Sequence, residues 1–402
     1  MTEPKERNAP DIELSPIPEG YGELLVHGFD WYQECLDFVI PELLWESLKT
    51  EKARAVDLDS RRKTPIAYQF GDMQFQLMPT GATGGKEFIL ENEEYRVELG
   101  ALNRQWSVSW RARSAAIWAS DLQELRARIY GVFEKAGFKP HENSEYDYIR
   151  ITRVDYCFDI HSKAFTREMV PEIIRQVVCP SEVKAKGDFI VQADSVETLT
   201  VALGSPCQLQ IYNKTKEITE ASGKTWLYDH WEIDASTGEV RENIPDEWAD
   251  VWRVEIRMRS KWLKPKKVNK PAAFFDNMWV LIAEGLYNRR LCSKTKDTNR
   301  GRWPVHPLFS IILEEIENPR AFLPIDRRAE GKAEILDEII VRNITGSLRS
   351  LAMLRDRETG KFNKKTIDKI LMQVLTLLET DPDHVEKIRR ALEKYSLVDA
   401  AK

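Results

Sequence analysis

The chain has 402 residues and a formal net charge of -6, and its 42% of hydrophobic and 10% of aromatic residues exclude wholesale disorder. Five cysteines without a CxxC pair argue against a disulfide framework or a zinc ribbon. Because no apolar run reaches about 18 residues and the N-terminus lacks an apolar signal core, we expect a cytoplasmic protein that does not enter a membrane.

The predicted elements start after residues 1–20, a charged segment with four prolines that we expect to be a flexible arm. Alternation of apolar and polar residues predicts early strands at 24–38, 66–79, 86–99 and 105–113. Helical spacing predicts helices over 41–55 and 121–136, the second of which ends at Gly137.

After Gly137 the alternation of predicted strands and helices occurs a second time. Further strands are predicted at 148–160, 198–203, 208–214 and 251–259, and a further helix at 166–178. We therefore expect an α+β fold of antiparallel sheets with helices packed on one face, in which residues 21–137 and 138–325 are two related halves. Residues 260–325 are expected to be helical and basic, and residues 326–402 to form a separate C-terminal helical module.

Charge is distributed unevenly along the chain. Residues 217–251 contain ten acidic and two basic residues, whereas residues 253–302 contain fourteen basic and four acidic residues, a net charge of +10. A basic segment with interleaved aromatic residues suits a polyanion such as nucleic acid. Its densest cluster, named the lysine segment here, comprises Lys264, Lys266, Lys267 and Lys270. We expect the lysine segment to line a groove that carries DNA; the alternative is a solvated basic loop.

Three of the predicted strands have one apolar and one polar face. In RVDYCFDIH the polar positions are Arg153, Asp155, Cys157, Asp159 and His161. In QLQIYNKTK they are Gln208, Gln210, Tyr212, Lys214 and Lys216. In WRVEIRMR they are Arg253, Glu255, Arg257 and Arg259. A solvent-exposed sheet face would explain any one strand, but three strands that together carry acids, cations and a tyrosine favour a functional site.

The acidic residues of these strands suggest a site for a divalent metal ion. Asp155 and Asp159 lie about 13 Å apart at about 3.3 Å per residue, so both cannot hold one ion tightly unless the strand bends. Asp155 and Glu255, on strands that we expect to be neighbours, are the better pair of ligands. Hard oxygen ligands of this type favour Mg²⁺ or Mn²⁺.

Phosphoryl transfer fits this combination of groups. A metal ion draws charge from a phosphate oxygen, cations stabilise the transition state, and a tyrosinate attacks phosphorus. The pKa of a free tyrosine is about 10, so we expect Lys214 and the metal ion to lower the pKa of Tyr212. The segment GATGGK at 81–86 is not a P-loop, because Glu87 replaces the required Ser or Thr, and strand separation is expected to come from a partner helicase.

Three segments in this order, ITRVDYCFDI, LQIYNKTKEI and WRVEIRMR, resemble the signature strands of the replication initiation factor (Rep_trans) family. GFDWYQECLDF and SWRARSAAIW resemble the first strand and the pre-helix strand of that family, so the resemblance covers about residues 24–290. The family comprises rolling-circle initiators of plasmids and filamentous phages and the related relaxases of integrative conjugative elements. The resemblance implies a circularly permuted HUH-like endonuclease core within residues 21–325.

The resemblance also implies roles for individual residues. It makes Tyr212 the nucleophile, and it makes Asp155 and Glu255 metal-binding or active-site acids. The cations that it places on the phosphate side are Lys214, Arg253 and Arg257.

Other assignments stay open. The sequence has no His-hydrophobe-His pair, so a histidine ligand, if present, would be His161. Asp159 either binds the ion or braces Arg153. Arg153 and Arg259 complete the candidate DNA contacts on these strands.

The leading hypothesis is a site-specific nickase that joins itself to a 5′ phosphate through Tyr212 and leaves a 3′-OH that primes rolling-circle replication. Its partners would be single-stranded or hairpin origin DNA and a host helicase, and the module at 326–402 would suit a homodimer interface. A conjugative relaxase would use the same chemistry. The other classes are a non-catalytic origin-binding protein and a metal-dependent nuclease with water as nucleophile, and formation of a covalent adduct with DNA separates the first hypothesis from both.

Overall fold

The structure is a computed structural model. It describes residues 14–57, 65–102, 104–142, 148–162, 176–179, 188–192, 195–234, 237–241, 248–317, 366, 368–373 and 376. The chain divides into two compact units, Met1–Ile325 and Asp326–Lys402. In the second unit the described residues, between 366 and 376, are helical. Most of the predicted helix 166–178, residues 1–13 of the predicted arm and the rest of the C-terminal module lie outside the described residues.

The strands and helices named below belong to the first unit. The strands are β1 (Glu23–Leu36), β2 (Phe38–Val39), β3 (Ile66–Phe70), β4 (Met73–Leu77), β5 (Phe88–Glu91), β6 (Tyr95–Leu99), β7 (Val108–Ala112), β8 (Lys139–Pro140), β9 (Ile149–His161), β10 (Asp188–Gln192), β11 (Ser195–Val201), β12 (Cys207–Asn213) and β13 (Val251–Arg259). The α-helices are α1 (Glu42–Asp57), α2 (Ser114–Ala119), α3 (Leu122–Lys135), α4 (Lys214–Glu217), α5 (Leu227–Glu232), α6 (Ser260–Leu263), α7 (Pro271–Asp276), α8 (Met278–Tyr287) and α9 (Pro307–Glu317).

One antiparallel sheet dominates the described residues. Its strand order is β10-β11-β12-β13-β9-β1-β7-β6-β5-β4-β3, and β2 and β8 form a separate two-stranded ribbon. The long strand β1 pairs with β7 on one side and with β9 on the other, so strands from both predicted halves join the same sheet. The architecture is therefore α+β, and the relatedness of the two halves and the circular permutation stay predictions.

Alternating residues give the sheet one apolar face, and helices cover that face. The helices α7, α8 and α9 pack on β9, on β12 and β13, and on β1, respectively. The approach of α8 to β13 is close: a Cβ atom on Gly285 would lie 2.6 Å from Cδ1 of Ile256. A side chain at position 285 would force the Ile256 side chain to move, so the glycine allows the close packing of α8 on β13.

The N-terminal segment packs on the sheet domain earlier than the sequence predicts. Leu14 forms a β-bridge with Val305, and the Ser15 hydroxyl lies 3.0 Å from that of Ser293. Ile17 contacts the main core. Residues 14–17 of the predicted arm therefore pack on the domain, with Leu14 and Ile17 partly buried against its core.

None of the helices within the described ranges is long and apolar enough to cross a lipid bilayer.

Candidate active site

A cleft of about 670 Å³ lies over the polar face of the strands β12, β13, β9, β1 and β7. Its lining includes Trp31, Arg153, Asp155, Tyr212, Glu255 and Arg257. All but Trp31 are polar positions of the three strands that the sequence analysis singled out. The register explains why they meet: β13 lies between β12 and β9, so Tyr212 opposes Arg253 and Arg257 opposes Asp155.

The Tyr212 side chain opens onto this cleft and is held by a carboxylate. Its hydroxyl donates a hydrogen bond of 3.1 Å to Oε2 of Glu255. Burial and the nearby negative charge of Glu255 raise the pKa of Tyr212 well above its ordinary value, and Arg253 opposes this effect. The protein neighbours of Tyr212 therefore raise its pKa, so the phenol needs a base to become a nucleophile, and the lowering of this pKa by Lys214 together with a metal ion stays a prediction.

Glu255 has the properties of that base. The carboxylate is 3% exposed. Burial raises its pKa to about 7, and the negative charges of Asp155 and Asp30 act in the same direction, against the guanidinium groups of Arg257 and Arg253. A carboxylate that titrates near neutral pH and touches the phenol is suited to accept its proton.

Arg253 is fully buried and lies opposite Tyr212 on the neighbouring strand. Its Nε and Nη2 atoms donate to the two carboxylate oxygens of Asp159 over 2.6 and 2.7 Å, and Nη1 donates to Oδ1 of Asp30 over 3.0 Å. Trp231 Nε1 also donates to Asp159, over 2.9 Å. Asp159 therefore fixes Arg253 and does not brace Arg153, and both of its oxygens are engaged by donors.

Asp30 is a site residue that the sequence analysis missed. It is the bulged residue of β1, because Phe29 opposes Tyr156 and Trp31 already opposes Asp155. The bulge turns Asp30 to the polar face, where the Ser114 hydroxyl donates to it over 2.8 Å. Burial would raise the pKa of Asp30, but the charges of Arg253, Lys224 and Lys214 outweigh it and hold the pKa below the ordinary value.

Asp155 is enclosed by two arginines. Arg153 donates through Nε over 2.9 Å, and its Nη2 also donates to Asp155, while Arg257 Nε donates over 3.0 Å. Arg257 also reaches Oε1 of Glu255 over 3.0 Å and so bridges the two acids. Asp155 and Glu255 are brought together as predicted, with a guanidinium between them.

The described residues do not fit a divalent ion as they stand. Within the described ranges, no group of three His, Cys, Asp or Glu side chains is placed to hold a metal. Arg257 occupies the position between Asp155 and Glu255, and the oxygens of Asp159 face Arg253. An ion between the first two acids would have to displace a guanidinium, so no catalytic step is assigned to a metal here.

Lys214 lies next to the site without touching the nucleophile's hydroxyl. The strand β12 ends at Asn213, and Lys214 begins α4 with its Nζ 5.7 Å from the Tyr212 ring centroid and 2.5 Å from a Glu217 oxygen. The lysine is 1% exposed, and burial together with Arg253 lowers its pKa. The charge of Lys214 therefore acts on the site by electrostatic interaction over a distance and not through a hydrogen bond to Tyr212.

The remaining predicted site residues do not line the cleft. His161 lies at the end of β9 with its ring 5.7 Å from that of Trp248, and Arg259 is exposed at the end of β13. The lysine segment follows α6, where Lys266 pairs with Glu284 over 2.6 Å. The chain then continues into α7 and α8 on the apolar face, so the lysine segment does not line the cleft as predicted.

The polar face is more buried than an open sheet. The helices α2 and α5 pack on β1, and α4 packs on β12 and β13. A second apolar cluster lies here, formed by Leu25, Val26, Trp118, Cys157, Ile218, Leu227, Trp231, Trp248 and Val251. This cover explains why Arg253 and Asp159 are fully buried while Tyr212 still borders the cleft.

No family model matches the chain, and no curated protein sequence matches it significantly. Among solved structures, the chain is similar to that of a rolling-circle replication initiator protein from Geobacillus stearothermophilus, with 15% sequence identity and a TM-score of 0.42. The similarity covers 73% of this chain and 97% of that chain. A likeness at this level carries no argument, so the function proposed below rests on the residues of the site.

Proposed function

We propose that the protein is a nickase that cleaves single-stranded DNA by forming a 5′-phosphotyrosine bond through Tyr212, in the manner of the rolling-circle initiators that its signature strands resemble. One observation carries the proposal: the Tyr212 hydroxyl borders an arginine-lined cleft and donates to Glu255, whose pKa is raised to about 7. A structural tyrosine needs neither a base nor cations beside it.

The reaction follows from these contacts. Glu255 takes the phenolic proton, and the Tyr212 oxygen attacks phosphorus to form an O–P bond while the bond from phosphorus to the 3′ oxygen breaks. The proton held by Glu255 is then available to the departing 3′ oxygen, which leaves as a hydroxyl group. Arg257, 3.0 Å from Glu255, and the buried Arg253 supply positive charge to the transition state.

The requirement for Mg²⁺ or Mn²⁺ stays a prediction from the sequence. Such an ion would polarise a phosphate oxygen. Asp155 and Glu255 are the acids that would hold it; an ion there would have to displace Arg257 and would engage the Glu255 carboxylate that otherwise serves as the base. In this proposal origin DNA is the substrate, and a host helicase separates the strands.

The proposal is tested by incubating the protein with labelled single-stranded origin fragments and looking for a conjugate that resists denaturation. Tyr212→Phe is expected to abolish the conjugate and to leave DNA binding within a few-fold. Tyr228→Phe is the matched control, because Tyr228 packs its ring 5.3 Å from Trp231 outside the group that touches Glu255. Nicking without a conjugate would instead support a nuclease with water as nucleophile, and binding without nicking a non-catalytic origin-binding protein. A conjugative relaxase would give the same conjugate, with a transfer origin as substrate.

A further inference from the structure

Beyond the reacting groups, the cleft continues across β1 to β7, where an arginine lies without an anion. Arg111 lines the cleft and is half-buried. Within the part of the chain that the structure describes, its guanidinium makes no hydrogen bond and no ion pair. Its contact is with an aromatic ring: the guanidinium carbon lies 4.2 Å from the centroid of Trp31.

The carboxylates near Arg111 are taken by other arginines. Arg96, opposite Arg111 on the neighbouring strand β6, binds Glu98 over 2.7 Å and Glu91 over 2.5 Å. Arg113 binds Glu91 over 2.9 Å. Burial and repulsion from Arg96 lower the pKa of Arg111, against the attraction of Glu98 and Glu91.

Trp31 carries a second guanidinium. The guanidinium carbon of Arg153 also lies 4.2 Å from its centroid. Arg111 and Arg153 project from the strands on either side of β1, and both oppose Gln33. The three side chains form a row across β7, β1 and β9, named the Arg–Trp–Arg row, in which the two guanidinium carbons are at most twice 4.2 Å apart. This spacing suits neighbouring backbone phosphates.

The two arginines of this row differ in one respect. Arg153 is bound by Asp155, whereas no carboxylate binds Arg111 among the described residues. A nucleic-acid phosphate is an anion that a guanidinium fork binds through two parallel hydrogen bonds. An arginine that is stacked on an aromatic ring and lines the same cleft as the nucleophile is suited to that ligand.

We propose that Arg111 binds a backbone phosphate of the single-stranded DNA on one flank of the bond that Tyr212 cleaves, and that Trp31 is the positioning residue that holds its guanidinium. The inference rests on the proposed function for the choice of ligand. It places the DNA path across the sheet and not along the lysine segment.

Sheet geometry sets the distance between the two ends of this path. The strands β12 and β7 are separated by four strand spacings of about 4.8 Å, or about 19 Å. The register also places Arg111 about six residues, or about 20 Å, along the strands from Tyr212, so the two backbone positions are about 28 Å apart. At about 3.4 Å per nucleotide a stacked strand covers this distance in about eight nucleotides, and an extended strand needs fewer. Arg111 therefore contacts a phosphate several nucleotides from the scissile one, which separates its role from the chemistry.

The test uses Tyr212→Phe as the background, so that binding is measured without cleavage, and a fluorescent oligo-dT of about 16 nucleotides as the probe. Arg111→Gln is expected to weaken binding by about tenfold at low salt. It is also expected to reduce the salt-dependence slope by about 0.7, the value for one phosphate contact on a single strand. The matched control is Arg128→Gln, which removes an exposed arginine that pairs with Glu94 over 3.2 Å on α3.

Further variants separate the binding role from a role in folding. The melting temperature of the free protein is expected to stay unchanged or rise in Arg111→Gln, because the native environment disfavours the charge. Arg111→Lys is expected to keep the salt slope, and Trp31→Phe to bind more tightly than Trp31→Ala.

Two results would overturn the inference. One is equal affinity and equal salt slope in Arg111→Gln and Arg128→Gln. The other is a loss of affinity for a duplex of the same length with none for the oligo-dT. Failure of the proposed function is distinguishable: a wild-type protein that forms no conjugate while its oligo-dT binding depends on Arg111 would reject the nickase and retain the DNA path.

Discussion

The account makes a specific prediction about Glu255, the base assigned to Tyr212. Replacing it by glutamine keeps the side-chain shape and leaves an amide oxygen that can accept from Arg257, but removes the charge and the ability to take a proton. We expect Glu255→Gln to abolish the DNA conjugate, with a rate loss of at least about 100-fold, because general-base catalysis contributes that much or more. We expect the same change to stabilise the folded protein at neutral and higher pH.

The stabilisation follows from the raised pKa of Glu255. Its ordinary value of 4.5 rises to about 7 in the fold, so between these values the folded state binds a proton that the unfolded state has released. The free energy of unfolding of the wild type therefore falls as the pH rises through this window. The free energy of unfolding of Glu255→Gln does not fall for this reason. A shift of this size corresponds to about 3 kcal/mol, fully developed above pH about 7.

Urea unfolding of both proteins at several pH values between about 5 and 8 measures this difference. The free-energy advantage of Glu255→Gln is expected to grow with pH by up to about 3 kcal/mol, or roughly 5 °C in melting temperature. Asp250→Asn, which removes the acid immediately before β13, controls for a general change in net charge. A difference between Glu255→Gln and wild type that is constant with pH would refute the assignment of the raised pKa to Glu255.

Three further predictions follow from the site. Asp159→Leu is expected to destabilise the protein by about 3–5 kcal/mol in urea unfolding, because it leaves Arg253 buried without its main anion; a loss below about 1 kcal/mol would contradict the pairing. Cleavage is expected to need Mg²⁺ or Mn²⁺ and to stop in chelator, with Arg257→Gln lowering the ion concentration required; wild-type rates in chelator would remove the metal from the account. Neutralising the lysine segment is expected to leave the affinity for a short single strand and its salt dependence within about two-fold, because the segment lies outside the cleft; a uniform loss of affinity with a flatter salt dependence would show that it contacts DNA as the sequence predicts.

The sequence predicts the strands of the site well because alternation is a local signal, whereas the segments predicted as single strands at 66–79 and 86–99 are each a hairpin, formed by β3 and β4 and by β5 and β6. The strand predicted at 251–259 is found at Val251–Arg259, and the helix predicted at 121–136 is found at Leu122–Lys135, with Asp121 accepting from the backbone of Gln123 and Glu124. The same alternation places Tyr212, Glu255 and Asp155 on one face, and the structure brings them together in the cleft.

The missed features depend on contacts that alternation does not contain. Asp30 turns to the polar face only because a bulge shifts the register of β1. The buried pair of Arg253 and Asp159 is completed by Trp231, which donates to Asp159 from a distant part of the sequence. Arg111 lies in a strand whose alternation does not indicate that Trp31 is beside it. The lysine segment lies outside the lining of the cleft, because charge density along the chain does not show where the chain turns after β13, and its contact with DNA stays a prediction.

The identity of the residue that is joined to DNA tests the central claim most directly. Wild-type protein is incubated with labelled single-stranded origin fragments, the denatured conjugate is digested with protease and nuclease, and the nucleotide-bearing peptide is sequenced by mass spectrometry. The account predicts a nucleotide attached through its 5′ phosphate to Tyr212, and none in Tyr212→Phe. A conjugate of normal yield carried by another tyrosine, such as Tyr228 or Tyr148, would contradict it.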